Sequence, residues 1–117
     1  TVEYVTILAR FSVYWPPLGG INCDRDQDGI EECNQVSTGE SWRAGGVGRW
    51  LSCPTKWAIG TVFILDGKAW VCKDRGDMIR LDSEGRPWLD FLYPRLFDGH
   101  QYGDIIQVQV MRGMEIE

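Results

Sequence analysis

The chain has 117 residues, 44% of them hydrophobic and 25% charged, which fits one folded domain spanning 1–117 with a core of its own. A net charge of −5 argues against nucleic-acid binding, which normally needs a basic stripe, and against adhesion to anionic surfaces through charge alone. No apolar run approaches membrane-spanning length, so no transmembrane segment is expected, and the domain reads as a monomer.

Fourteen glycines and five prolines, with few long helical patterns, predict a mainly β protein rich in turns. Residues 2–14 alternate, with Val5, Ile7, Ala9, Phe11 and Val13 on one face, and read as a half-buried strand ended by Pro16-Pro17 and Gly19-Gly20. The chain is then loop-like to about Gly48, a length that implies either a function or a tether. Gly48 to Ser52 reads as a short strand ahead of Pro54. Residues 61–65 and 68–72 flank Asp66-Gly67, a dipeptide that favours a type I′ hairpin because both central residues take positive φ. Residues 74–87 are polar and turn-rich, 88–92 are a short apolar segment, and 93–103 are irregular or a single helical turn. Residues 104–111 alternate again, with Ile106, Val108 and Val110 on one side of a last strand. Five or six short strands with one long loop predict a small barrel.

Four cysteines in so short a chain point to two disulfides and an oxidising compartment, although four cysteines allow three pairings. We expect Cys23–Cys33 within the long loop and Cys53–Cys72 across the barrel, because 53 and 72 end neighbouring strand regions. The spacings lack the close pairs of a zinc ribbon. Between Cys23 and Cys33, Asp24, Asp26 and Asp28 alternate ahead of Gly29, a pattern that lets oxygens converge on a hard cation. A full EF-hand loop would need Glu where Gln35 stands, so the calcium reading is a shorter loop closed by Glu31 or Glu32. The other reading is a solvated acidic loop; no further cofactor is required. Thr1, with neither an initiator Met nor a signal peptide, reads as the start of a mature or excised piece.

Two carboxylates carry the strongest chemical signal. Asp74 stands where an apolar strand runs into a glycine-containing turn, and Asp90 is the one charge among Trp88, Leu89, Phe91 and Leu92. Partial desolvation would raise the pKa of Asp90 towards that of a general acid working near neutrality. The structural alternatives are that Asp74 pairs with Arg75 or Arg80 and that Asp90 caps the turn at Tyr93-Pro94. Of six tryptophans some must be core, whereas Trp15 and Trp42, in loops, are candidates to stack on sugar rings. His100, the only histidine, reads as a surface or hydrogen-bonded structural residue.

Residues 57–63 (WAIGTVF), 70–79 (WVCKDRGDMI), 88–91 (WLDF) and Tyr102-Gly103 before a final strand resemble the three-aspartate domain, with the segment 37–40 (STGE) similar to that family's Thr-Ala-Ser/Thr-Gly motif. The resemblance covers about 36–112. It implies a six-stranded double-psi β-barrel, as in membrane-bound lytic transglycosylase A and stand-alone Gram-positive wall proteins, and more distantly in rare lipoprotein A and expansins. Asp90 matches the family's catalytic acid/base and Asp74 its second aspartate. The first aspartate, in an Asp-Pro pair, falls on Cys53-Pro54, and the Gly-Gly that commonly follows the second is here Gly76-Asp77.

What the resemblance implies is a lytic transglycosylase acting on peptidoglycan, with Asp90 as the single acid/base, Asp74 assisting, and Thr38, Gly39, Glu40 and Trp42 contacting substrate. One carboxyl suffices for that reaction, whereas inverting hydrolysis needs a second carboxylate roughly 6.5–9.5 Å away, for which Glu40 is the loop acid to nominate. The alternative is a non-catalytic, expansin-like barrel that binds glycan or serves in a wall or virion assembly. Either would act secreted, in the cell envelope or with a phage.

Overall fold

A computed structural model describes residues 2–18, 24–25, 31–32, 38–76 and 79–116, with backbone alone described at 18, 24–25 and 31–32. Its strands are β1 (Tyr4–Tyr14), β2 (Asp24–Arg25), β3 (Glu31–Glu32), β4 (Trp50–Ser52), β5 (Val62–Leu65), β6 (Lys68–Asp74), β7 (Trp88–Leu92) and β8 (Ile105–Met111). Six of these close into a barrel in the order β1-β7-β4-β6-β5-β8, while β2 and β3 form a separate two-stranded ladder. The only helical turn among the described residues is the short 3-10 segment Pro16–Leu18, as the proline and glycine content predicts.

β1 closes the barrel by serving two neighbours along its length. Tyr4–Arg10 pair antiparallel with β8, and Arg10–Tyr14 pair parallel with β7. A second parallel pair joins β4 to β6; the remaining barrel pairings are antiparallel. Two parallel pairs set in a closed six-stranded barrel are compatible with a double-psi arrangement. Closure leaves the barrel itself without a free sheet edge. The β5–β6 hairpin turns at Asp66 (φ 51°) and Gly67 (φ 81°), the paired positive φ values expected of its sequence. His100 braces this turn by a 2.8 Å contact from Nε2 to Asp66 Oδ2, its ring lying against Phe11.

The inward face of β1 is the predicted one: Ala9 and Phe11 are fully buried, with Val5, Ile7 and Val13 packed against the core. Residues 93–103 form no helix; Phe97 instead enters an aromatic cluster with Trp70, Phe91 and Phe11. The polar stretch 81–87 is knotted at Asp82. Its carboxylate accepts bonds from Arg10 Nε (3.0 Å), Arg86 Nε (2.8 Å) and the backbone N–H groups of Glu84 and Arg86. Desolvation opposes ionisation there, but these donors win and hold the carboxyl below its usual range.

A second, smaller cluster lies outside the barrel wall, where Tyr14, Trp42, Trp50 and Leu92 pack together with Trp15 and Val71. Gly46 makes it fit. A Cβ at that position would meet Trp50 Cε3 at 2.6 Å, the Trp42 carbonyl oxygen at 2.7 Å and Leu92 Cδ2 at 2.9 Å. Gly46→Ala is therefore expected to destabilise the fold by about 1–3 kcal/mol through overpacking, read as a lower urea midpoint with an unchanged slope.

Candidate active site

Four neighbouring strands place four polar side chains in one row on the outward face of the wall. Ser12 on β1 is the register partner of Asp90 on β7; Asp90 partners Ser52 on β4; Ser52 partners Asp74 on β6. Strand alternation alone would not put Asp74 there. The β4–β6 register shifts between Leu51 and Ser52, so that Leu51 faces Cys72 but Ser52 faces Asp74, with Lys73 as the extra residue. This bulge turns Asp74 to the side occupied by Ser52 and Asp90, as bulges beside functional sites do.

Ser12 Oγ donates to Asp90 Oδ1 (2.9 Å) and lies 3.2 Å from the Leu89 carbonyl. Tyr14, two residues along the same face of β1, donates its hydroxyl to Asp74 Oδ2 (3.0 Å), and the Arg75 backbone N–H donates to Asp74 Oδ1 (2.9 Å). Ser12, Ser52 and Asp74 are all buried, whereas Asp90 keeps partial access to solvent. Burial raises the pKa of Asp90, the bond from Ser12 pulls the other way, and the nearby Asp74 carboxylate raises it further, so that it is pushed up to about 7. Tyr14 is held well above its ordinary value by burial and then by the charge of Asp74. Asp90 is thus a largely buried acid with partial access to solvent, beside a buried second carboxyl group. Tyr14→Phe leaves that group short of a donor and is expected to cost about 1–3 kcal/mol by urea denaturation.

Asp90 bonds Ser12, and the Tyr93 N–H goes to the Tyr14 carbonyl. Arg75 reaches Asp74 through its backbone N–H, while its guanidinium donates to the carbonyls of Cys53 (3.0 Å), Pro54 (2.7 Å) and Trp57 (2.6 Å). That guanidinium and the buried Cys53–Cys72 disulfide fix the 53–57 turn against the end of β6.

Segment 38–48 lies beside the row, with Trp42 packed in the cluster of Tyr14, Trp50 and Leu92. Thr38, Gly39 and Glu40 are exposed; Thr38 Oγ1 donates to Glu40 Oε1 (3.0 Å), and Lys73 Nζ pairs with Glu40 (3.1 Å). The Lys73 bond and then the Thr38 bond hold the Glu40 carboxyl below its usual range. Trp42 departs from its expected role as a sugar platform: it is 4% exposed, with the edge of Trp15 against it (ring centroids 5.0 Å apart) and the Arg43 guanidinium 4.3 Å over its ring. Apolar packing under the loop outweighs presentation to solvent. Sequence reasoning missed Ser12, Tyr14 and Ser52. Polar residues on the outward face of a strand carry no signal until the strand pairing is known.

Of the residues expected to bind calcium, Asp24 and Glu32 are backbone partners in the β2–β3 ladder, and Asp26 and Asp28 lie outside the described residues, as do Cys23 and Cys33. Among the described residues no group of three or more His, Cys, Asp or Glu is placed to hold a metal ion. No helix among them is long and apolar enough to cross a membrane. Compared with known proteins, the chain matches no family model, no curated protein and no solved structure.

Proposed function

We propose that this protein cleaves a glycan strand by the lytic transglycosylase reaction, with Asp90 as its single general acid/base. The observation that supports this most is the state of Asp90: a partly accessible carboxyl, anchored by Ser12, whose pKa of about 7 lets it both give and take a proton near neutrality. Protonated Asp90 gives its proton to the glycosidic oxygen between N-acetylmuramic acid and N-acetylglucosamine as the C1–O bond breaks. The Asp90 carboxylate then takes the proton of the muramyl C6 hydroxyl, whose oxygen closes on C1 to form the 1,6-anhydro ring. No water is consumed and the carboxyl is regenerated.

Asp74 is the assisting carboxyl group. At 5% exposed, with both carboxyl oxygens accepting protein hydrogen bonds, it acts on Asp90 through its charge and position. Peptidoglycan is the substrate this reading names, in the cell envelope, outside the cell or with a phage, and the buried disulfide is compatible with an oxidising location. The second reading, a non-catalytic glycan-binding or structural barrel, is favoured by Cys53 standing where the three-aspartate family has its first aspartate.

Digestion of purified peptidoglycan, with products weighed by mass spectrometry, decides between them. Anhydro-muramyl products from the wild type and none from Asp90→Asn are the expected result. Products carrying a full water would replace the reading with hydrolysis, and no products from folded protein would leave the binding barrel.

A further inference from the structure

On the outward face of β7, the row that contains Asp90 is closed on one side and open on the other. Towards the strand's C-terminal end lie Leu92, with no exposure, and Tyr14, at 8%, both under the cluster that holds Trp42. Towards its N-terminal end, two residues from Asp90 and therefore on the same face, stands Trp88, about 7 Å away by the rise of an extended strand. Tyr102 lies against Trp88, ring centroids 5.5 Å apart and planes inclined by 41°, and is itself 73% exposed.

In this pair Tyr102 is exposed and Trp88 half-buried, and both are anchored. The Gly103 N–H donates to the Phe11 carbonyl (2.7 Å), and Arg10, the register partner of Trp88, donates from Nη1 to the Gly103 carbonyl (2.9 Å). Gly103, at φ 83°, brings the chain close over the ring: a Cβ there would lie 3.7 Å from Trp88 Cη2. Fixed aromatic faces lose little conformational freedom on binding, and an indole beside a phenol offers an apolar face with polar edges to a ring that carries both C–H and O–H groups.

We propose that Trp88 and Tyr102 form a stacking subsite for a sugar ring of the glycan strand whose neighbouring linkage lies at Asp90. The proposal rests on the reading above that the site acts on glycan. It assigns the two aromatics to substrate binding and Asp90 to the chemistry, so each can fail separately.

The test uses Asp90→Asn as a background that cannot turn over, titrated calorimetrically with soluble, uncrosslinked peptidoglycan strands. Adding Trp88→Ala or Tyr102→Ala is expected to weaken binding about tenfold, the size of one well-packed aromatic contact, while Trp88→Phe keeps most of the affinity. In the wild-type background the same two alanine variants should raise KM and leave kcat close to its original value. Tyr102→Ala, at a site this exposed, keeps the test valid if Trp88→Ala does not fold. Folded alanine variants that bind strands as tightly as Asp90→Asn would overturn the subsite while leaving the reaction at Asp90 standing. Unchanged glycan affinity together with conversion of a dimer to a monomer in sedimentation would mean that the aromatics form a contact between copies. No strand binding by Asp90→Asn or the wild type would remove both proposals together.

Discussion

Asp90→Asn should abolish the proposed glycan cleavage and, at pH 8, make the protein more stable. The loss of rate is expected to be about 10²–10⁴-fold or more, because an amide cannot exchange a proton with the leaving oxygen or the attacking hydroxyl. The gain in stability follows from the environment that prepares the acid. Unfolded, Asp90 ionises in the ordinary carboxylate range; folded, burial and the Asp74 carboxylate hold its pKa at about 7. A raised folded pKa means that the native state is not penalised while Asp90 is protonated in both states. The penalty then grows as pH rises from the unfolded pKa through about 7. Above that pH the wild type carries a buried charge costing on the order of 4 kcal/mol, which the neutral asparagine avoids. Thermal melts should therefore coincide at pH 4 and separate by pH 8, with Asp90→Asn the higher. In the wild type, kcat/KM should fall as pH rises past 7, because the acid form is lost. Equal melting at pH 8 would mean that Asp90 is not desolvated as described.

Loss of the Cys53–Cys72 disulfide is expected to be the most damaging single change to the fold that leaves the core side chains otherwise intact. The bond closes a loop with a sequence separation of 19, for which restriction of the unfolded chain is worth about 3 kcal/mol. It lies at a junction: the Cys53 N–H donates to the Asp74 carbonyl (3.3 Å), and Arg75 Nη1 lies 3.0 Å from the Cys53 carbonyl. The double variant Cys53→Ala/Cys72→Val should lower the urea midpoint by the equivalent of about 3 kcal/mol. It should also lower glycan cleavage more steeply than stability alone predicts, since the turn that positions Asp74 is loosened. A variant that melts lower yet cleaves at the wild-type rate below its transition would separate the disulfide from the site.

The sequence carried much of this architecture in patterns that depend only on near neighbours. Alternation in β1 and β8 marked the inward faces, because side chains on a strand repeat every two residues. Asp66-Gly67 announced its hairpin, because few residue pairs adopt two successive positive φ values. Asp90 stood out as one charge in an apolar run. These are local statements, and backbone geometry makes them legible one segment at a time.

What the sequence did not determine is whatever depends on which strand lies beside which. Ser12 and Tyr14 alternate onto the outward face of β1 and would be read as solvated; the parallel pairing of β1 with β7 sets Ser12 beside Asp90, and the second cluster buries Tyr14. Asp74 needed a bulge in β6, a feature of register between two strands rather than of either one. Trp42 looked like a loop residue free to stack on sugar, yet it is buried, because removing its large apolar surface from water outweighs the freedom of the loop. Local periodicity therefore determined which residues form the walls of this barrel. Long-range pairing and burial decided which polar groups meet, and burial among them is what sets the acidity of Asp90.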